Sequence, residues 1–400
     1  MLAWGVFQVC ALFCLGSRCI SPPAAAFWHN MASHALISDG AHLAIVGGGL
    51  LGRLLALELS GKGFSIDLYD RGGPEAEFAA ARVAAAMLAP LAESAVTEHG
   101  VVRMGHYGLA RWQALIGQLA EPVYLQQAGT MVVWHRQDAV EAQRFRGILE
   151  RTQHAIPELP ALQLLDRPAM AALEPALSAH FQSGYYLPGE GQLDNRQLLA
   201  ALVPTMQQRG VRLHWHSPRE ISDFAPGQTG QPDWVIDTRG LGAKPQWASL
   251  RGVRGEVIRV HAPEVNLARP TRLMHPRYPI YIAPKQDHYF VIGATEIESD
   301  DMSPASVRST MELLSAAYTV HSGFAEARIL EINTQCRPTL PDNLPAIRQV
   351  QPRVLEVNGL YRHGFMISPA VMDATVELLL TGASPLAQRF DMAVSLLAAA

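Results

Sequence analysis

Leu43 to Val46 is an uninterrupted apolar run, the pattern of a strand buried on both faces. Leu51, Leu54, Leu55, Leu57 and Leu59 then supply the apolar side of a helix, which Gly61 and Gly63 stop. Phe64 to Tyr69 returns to a strand pattern and ends on Asp70. Strand, helix and strand joined by short links predict a parallel βαβ unit. Between Glu93 and about Leu162, helical stretches surround a short β-like run, Gly129 to Trp134. Ser183 to Asp194 reads as turn-rich. Asn195 to Arg209 reads as an amphipathic helix closed by Gly210, and Val211 to Trp215 and Trp234 to Asp237 as strands. Arg254 to Val260, Pro279 to Ala283 and Tyr289 to Gly293 alternate or are β-rich, which predicts an antiparallel sheet with hairpin-like connections. Ser303 to Tyr318 reads as helix, Val354 to Val357 as a last strand and Ile367 to Thr381 as a last helix. The pattern is that of an α/β chain in which a parallel domain is interrupted by an antiparallel one.

The link between the first strand and helix is Gly47-Gly48-Gly49-Leu50-Leu51-Gly52, a G-x-G-x-x-G. Each part has a physical task in binding a dinucleotide. Gly47 permits the tight turn, Gly49 has no side chain to block a pyrophosphate, and Gly52 lets the helix pack close to the strand. The helix N-terminus offers free N–H groups and a positive dipole end to phosphates. Asp70 is able to accept hydrogen bonds from ribose hydroxyls. Two further segments bear on this site. Ala79 to Ala86 is dominated by small residues, either a backbone that approaches a flat ligand or an alanine-rich helix. Trp234 to Asp237 runs into Gly240-Leu241-Gly242, which predicts another backbone approach to the dinucleotide.

Composition adds boundaries. Of 400 residues, 49% are hydrophobic and 17% charged, an ordinary globular balance with a large core. The net charge is −4 and no basic block stands out, which disfavours a nucleic-acid partner. Cys10, Cys14 and Cys19 match no zinc spacing, and Cys336 stands apart, so no metal site is expected and the usage is that of a reduced, cytoplasmic compartment. Met1 to Ser17 is largely apolar and uncharged. It reads as a non-functional extension ahead of Met31, a targeting segment with Ala24 to Ala26 as a cleavage site, or an ordered addition.

Taken together, the motifs resemble the FAD-dependent amino-acid and amine oxidases of the glycine oxidase and D-amino-acid oxidase type, from Leu43 to about Leu380. The residues that carry the resemblance are Gly47, Gly49, Gly52 and Asp70, the Ala85 to Pro90 segment, Tyr186 to Asp194, Gly240-Leu241-Gly242, Ile280 to Pro284, Ile292 to Thr295, Arg337-Pro338 with Pro341 to Pro345, and Arg362-His363-Gly364. The implied fold is a discontinuous Rossmann-type FAD-binding domain (41–95, 180–253, 326–400) with an inserted antiparallel-sheet substrate domain (96–179, 254–325), after an N-terminal extension (1–40). FAD is the implied cofactor. Its implied contacts are Gly47, Gly49, Leu50, Leu51, Gly52, Asp70, Arg71, Ala85, Ala86, Met87, Leu88, Gly240, Gly242, Arg362, His363, Gly364, Phe365 and Met366.

The resemblance implies hydride transfer from the Cα of glycine, a D-amino acid or an N-alkyl glycine to flavin N5. The imino acid then hydrolyses, and oxygen takes the electrons to give hydrogen peroxide. Arg337 would hold the substrate carboxylate through its two-pronged guanidinium, with Tyr281 adding a hydroxyl, Arg362 across the pocket and Met87 as a wall. Structural alternatives are an Arg337 paired with Asp342, a Tyr281 that is a plain strand aromatic, and an Arg362 serving a loop carbonyl or the FAD phosphates. Simple glycine oxidases tend to carry an apolar residue where Glu296 stands; facing the pocket, Glu296 would suit a polar or cationic substrate, and facing out it would be an ordinary strand residue. Competing functions are a dehydrogenase passing electrons to a quinone or protein acceptor, a tRNA-modifying oxidase, and a flavoprotein accessory factor that matures a partner enzyme. Stable membrane insertion is not expected; homo-oligomerisation is left open.

Overall fold

The structure is a computed structural model that describes residues 35–398. The expectations for the apolar N-terminal stretch and its cysteines fall on residues 1–34 and lie outside the described residues.

β1 (His42–Val46), α1 (Leu50–Gly61) and β2 (Ser65–Tyr69) form the predicted βαβ unit, with β1 and β2 parallel and in register. They belong to a seven-stranded sheet. Its order is Ala393–Ser395, Ala346–Gln351, Val354–Asn358, Trp234–Asp237, β1, β2, Arg212–His214. All neighbours run parallel except Ala346–Gln351 against Val354–Asn358. Strands from the start, middle and end of the chain thus share one sheet, as a discontinuous nucleotide-binding domain requires. The apolar sides of α1 and of the helix Gly364–Thr381 meet in its core. The segment Tyr361–Thr381 is apolar and long enough to cross a membrane, but most of it is buried inside this fold.

The second sheet has nine strands. Arg251–His261, Tyr289–Gly293, Ile280–Pro284 and Thr271–Met274 pair antiparallel, Thr130–Trp134 joins Thr271–Met274 in parallel, and Arg328–Thr339 runs antiparallel along Arg251–His261. Helix Val307–Val320 covers one face. Two segments differ from the sequence reading. Ser183–Leu187, read as turn, is a strand of this sheet because Thr130–Trp134 offers it a buried antiparallel partner. Gly191–Leu193 is likewise a strand, pairing with Met87–Leu88 and Leu125–Gln126 in a three-stranded sheet. Ser183–Leu187 and Arg328–Thr339 therefore lie in the larger sheet, beyond the boundaries expected at 180 and 326.

A polar cluster fastens the edge of the seven-stranded sheet. Asp67, nearly buried on β2, accepts hydrogen bonds from Arg212 (2.8 and 2.7 Å), and its oxygens lie 2.5 Å from His42 Nε2 and 2.6 Å from His214 Nε2. Burial alone would raise the carboxyl pKa, but the hydrogen bonds from Arg212, His214 and His42 hold it well below the usual range. A depressed folded-state pKa gives stability that is present above about pH 3.9 and is lost as pH falls further. Asp67→Asn is therefore expected to destabilise by about 1–2 kcal/mol at pH 7, since its partners are part-exposed. The gap should narrow in denaturation curves as pH falls below about 3.9 and close only well below pH 3, where the folded-state carboxyl takes up its proton.

Candidate active site

The main cavity, of volume ≈ 1040 Å³, opens at the carboxyl ends of the parallel strands and runs under the larger sheet. That is where open α/β sheets bind ligands. Gly47 follows β1 with φ 108°, a backbone conformation suited to glycine, and a Cβ there would stand 2.7 Å from the Thr238 carbonyl carbon. A Cβ at Gly52 would overlap the Gly47 carbonyl oxygen, so Gly52 is a packing residue beneath the loop and not part of the cavity wall. At Gly49 a Cβ meets nothing closer than Ala79 Cβ at 3.8 Å, and Gly49, Leu50 and Leu51 all line the cavity. No side chain caps the N-terminus of α1. Its leading N–H groups face a roomy cavity, which fits the phosphates of a dinucleotide.

Two groups that sequence reading missed or half-described brace this loop. Arg53 is fully buried and donates to Gly48 O (2.7 Å), Leu199 O (2.6 Å) and Pro74 O (2.8 Å). Burial lowers its pKa to about 10, so it is still charged at pH 7. Asp70 accepts from Gly48 N (2.6 Å) and Gly72 N (2.7 Å) and lines the cavity. Arg71, also at the cavity, stacks its guanidinium over Phe78.

The small-residue segment combines its two readings. Ala80–Val83 is one helical turn, and Ala84 to Met87 then follows the cavity, extended at Ala84 and turning at Ala86, whose φ is 53°. Ala85, Ala86 and Met87 line the cavity, whereas Leu88 turns into the core at 1% exposure. This wall is anchored by Lys285, whose ammonium donates to Ala85 O (2.8 Å), Leu193 O (2.8 Å) and Gln192 Oε1 (3.0 Å). Burial lowers the Lys285 pKa to about 7. Gly240, Gly242, His363, Gly364, Phe365 and Met366 line other parts of the cavity.

At the larger sheet's end of the cavity, Tyr281 and Arg337 come together. Tyr281 pairs across strands with Gly293, where a Cβ would stand 2.6 Å from the Tyr281 hydroxyl. A Cβ at Gly255 would stand 2.6 Å from Arg337 Cζ. Two glycines inside strands thus make room for two cavity-lining side chains, a use that such glycines often have. Arg337 touches only the carbonyls of Arg254 (3.4 Å) and Thr295 (3.2 Å), and no carboxylate pairs with it among the described residues. Asp342 instead accepts from Leu344 N. Burial raises the pKa of the Tyr281 phenol, against the opposing charges of Arg337 and Arg362.

Arg362 has carboxylate partners where Arg337 has none. Its Nε lies 3.2 Å from Glu93 Oε2 and its Nη1 2.5 Å from Glu296 Oε2. Glu296, half-exposed at the cavity, also accepts from the Tyr361 hydroxyl. Glu93 further pairs with Arg272 and lies 3.3 Å from His363 Nδ1. Burial alone would raise the pKa of Glu93, but Arg362, Arg272 and His363 hold it well below the carboxylate range. Burial lowers His363 to about 4, so its imidazole is neutral at pH 7, and pushes nearby Glu190 up to about 7. Arg272 and Arg362 are thus paired with Glu93 and Glu296, whereas Arg337 has no carboxylate partner among the described residues.

Comparison with known proteins agrees with this geometry. The family model described as FAD dependent oxidoreductase (DAO) matches residues 42–378. The thiamine biosynthesis oxidoreductase ThiO of Rhizobium etli is 40% identical over 84% of this chain and 95% of its own. The glycine oxidase of Geobacillus kaustophilus is 26% identical over 82% of this chain and 89% of its own. A crystal structure of glycine oxidase from Geobacillus kaustophilus superposes with a TM-score of 0.71 at 23% identity, covering 85% of this chain and 95% of that one. It shares the fold.

Proposed function

The chain belongs to the DAO family of FAD-dependent oxidoreductases, and from that premise we propose that it deaminates glycine, a D-amino acid or an N-alkyl glycine oxidatively. The cofactor is FAD, which supplies a hydride acceptor to a site that has none of its own. The observation that carries the reading is Arg337: a charged, carboxylate-free guanidinium beside the Tyr281 hydroxyl in the cavity that begins at the glycine loop. Two parallel N–H donors match a carboxylate in shape as well as charge.

In this reading each wall has one task. Gly47, Gly49, Leu50 and Leu51 hold the phosphates of FAD, and Asp70 its ribose. Ala85 to Met87, Gly240, Gly242 and His363 to Met366 lie against the rest of it. Arg337 and Tyr281 bind the substrate carboxylate and so fix the Cα, which is what rate enhancement by orientation requires. Met87 walls the substrate pocket, and Arg362 borders it while bound to Glu93 and Glu296. Neutral His363 and the charge-balanced Glu93 do not compete for Arg337. Oxygen as acceptor and a cytoplasmic location belong to the same proposal.

The test is a peroxide assay on the holoenzyme with glycine, sarcosine and D-alanine, with and without an artificial acceptor. Peroxide in step with substrate loss is the expected result. Turnover that appears only with the artificial acceptor would replace the oxidase with a dehydrogenase. No turnover of any amino acid by either route would remove the reading.

A further inference from the structure

Of the guanidiniums that line the cavity, those of Arg337 and Arg362 are served by one short backbone segment. Thr295 turns its carbonyl to Arg337 Nη2 at 3.2 Å, and the next residue, Glu296, turns its carboxylate to Arg362 Nη1 at 2.5 Å. Both arginines and Tyr281 line the cavity, and the consecutive residues Thr295 and Glu296 bring the two guanidiniums to the same part of it. Glu93 sits deep and is already shared among Arg272, Arg362 and His363. Glu296 is different. It is half-exposed, lines the cavity and, among the described residues, has only Arg362 and Tyr361 as side-chain partners.

We propose that Glu296 restricts the site to ligands with a single carboxylate, by occupying the guanidinium that would hold a second one. This rests on the amino-acid reading of the site above. A ligand with one carboxylate neutralises Arg337 and leaves the Arg362 pair untouched. A dicarboxylate must bring its second anion beside Glu296 or displace it. Rejection of a ligand by a placed like charge is a common basis of specificity. The Tyr361 hydroxyl, whose pKa is pushed up to about 12 by burial and by its bond to Glu296, holds the carboxylate in that position as a donor.

The test uses holoenzyme, with Glu296→Gln and Glu296→Asp. Glycolate and malonate are titrated while flavin absorbance is followed, and kcat/KM is measured for sarcosine and iminodiacetate. In Glu296→Gln, the preference for glycolate over malonate should fall by about tenfold, and the iminodiacetate-to-sarcosine ratio should rise by a similar factor. Glu296→Asp keeps the charge and should keep the wild-type ratios. Ratios unchanged in Glu296→Gln would overturn the proposal, as would a loss of discrimination in Glu296→Asp equal to that in Gln. The binding titration does not depend on turnover. Absence of flavin reduction by every amino acid would sink the amino-acid reading, while the glycolate-to-malonate ratio would still decide the role of Glu296.

Discussion

Arg337→Ala is expected to lower kcat/KM for an amino-acid substrate by about a hundredfold or more, while the protein keeps its FAD. A hydrogen bond to a charged group contributes roughly 1.5–3 kcal/mol, and the guanidinium supplies two to one carboxylate. Arg337→Lys keeps the charge but loses the fork, so about tenfold should go. The side chain rests only on the Arg254 and Thr295 carbonyls, so its removal breaks no ion pair. The control is an amine lacking the carboxylate, whose turnover should fall far less. Equal losses on both substrates would make Arg337 structural.

The second large effect separates two glycines of one motif. Gly49→Val is expected to give folded protein with little or no FAD, because a side chain there extends into the cavity in front of α1. Gly52→Ala is expected to abolish soluble folded protein, because its Cβ would overlap the Gly47 carbonyl against the buried β1–α1 junction. Circular dichroism and bound-flavin absorbance distinguish the outcomes. Gly49→Val retaining full flavin, or Gly52→Ala folding with normal stability, would break the assignment.

What the chain reveals before folding depends on how far apart the partners lie. The glycine loop was legible because strand, turn and helix are consecutive, and each glycine has a local steric reason. The larger sheet was legible where strands follow one another, as at Ile280–Pro284 and Tyr289–Gly293. Ser183–Leu187 was not, because its strand state depends on Thr130–Trp134, a distant segment. Arg328–Thr339 was passed over because its polar, part-exposed residues hide a strand that is defined by its partner, Arg251–His261. Arg337 and Tyr281, which line the cavity, were singled out through resemblance. The Glu93, Arg272, Arg362 and His363 network was not, since it joins segments far apart in sequence. Arg53 and Lys285 escaped notice for a related reason: nothing local marks a charged residue for burial when its partners are distant backbone carbonyls.

The central claim is that Arg337 and Tyr281 orient an amino acid by its carboxylate against FAD. The most direct measurement is anaerobic mixing of the holoenzyme with glycine, sarcosine and D-alanine, and with methylamine as the carboxylate-free counterpart, while visible absorbance is followed. The account predicts rapid bleaching of the flavin by at least one of the amino acids and little or none by methylamine. An oxidised spectrum unchanged by every amino acid, or bleaching by methylamine as fast as by glycine, would contradict it.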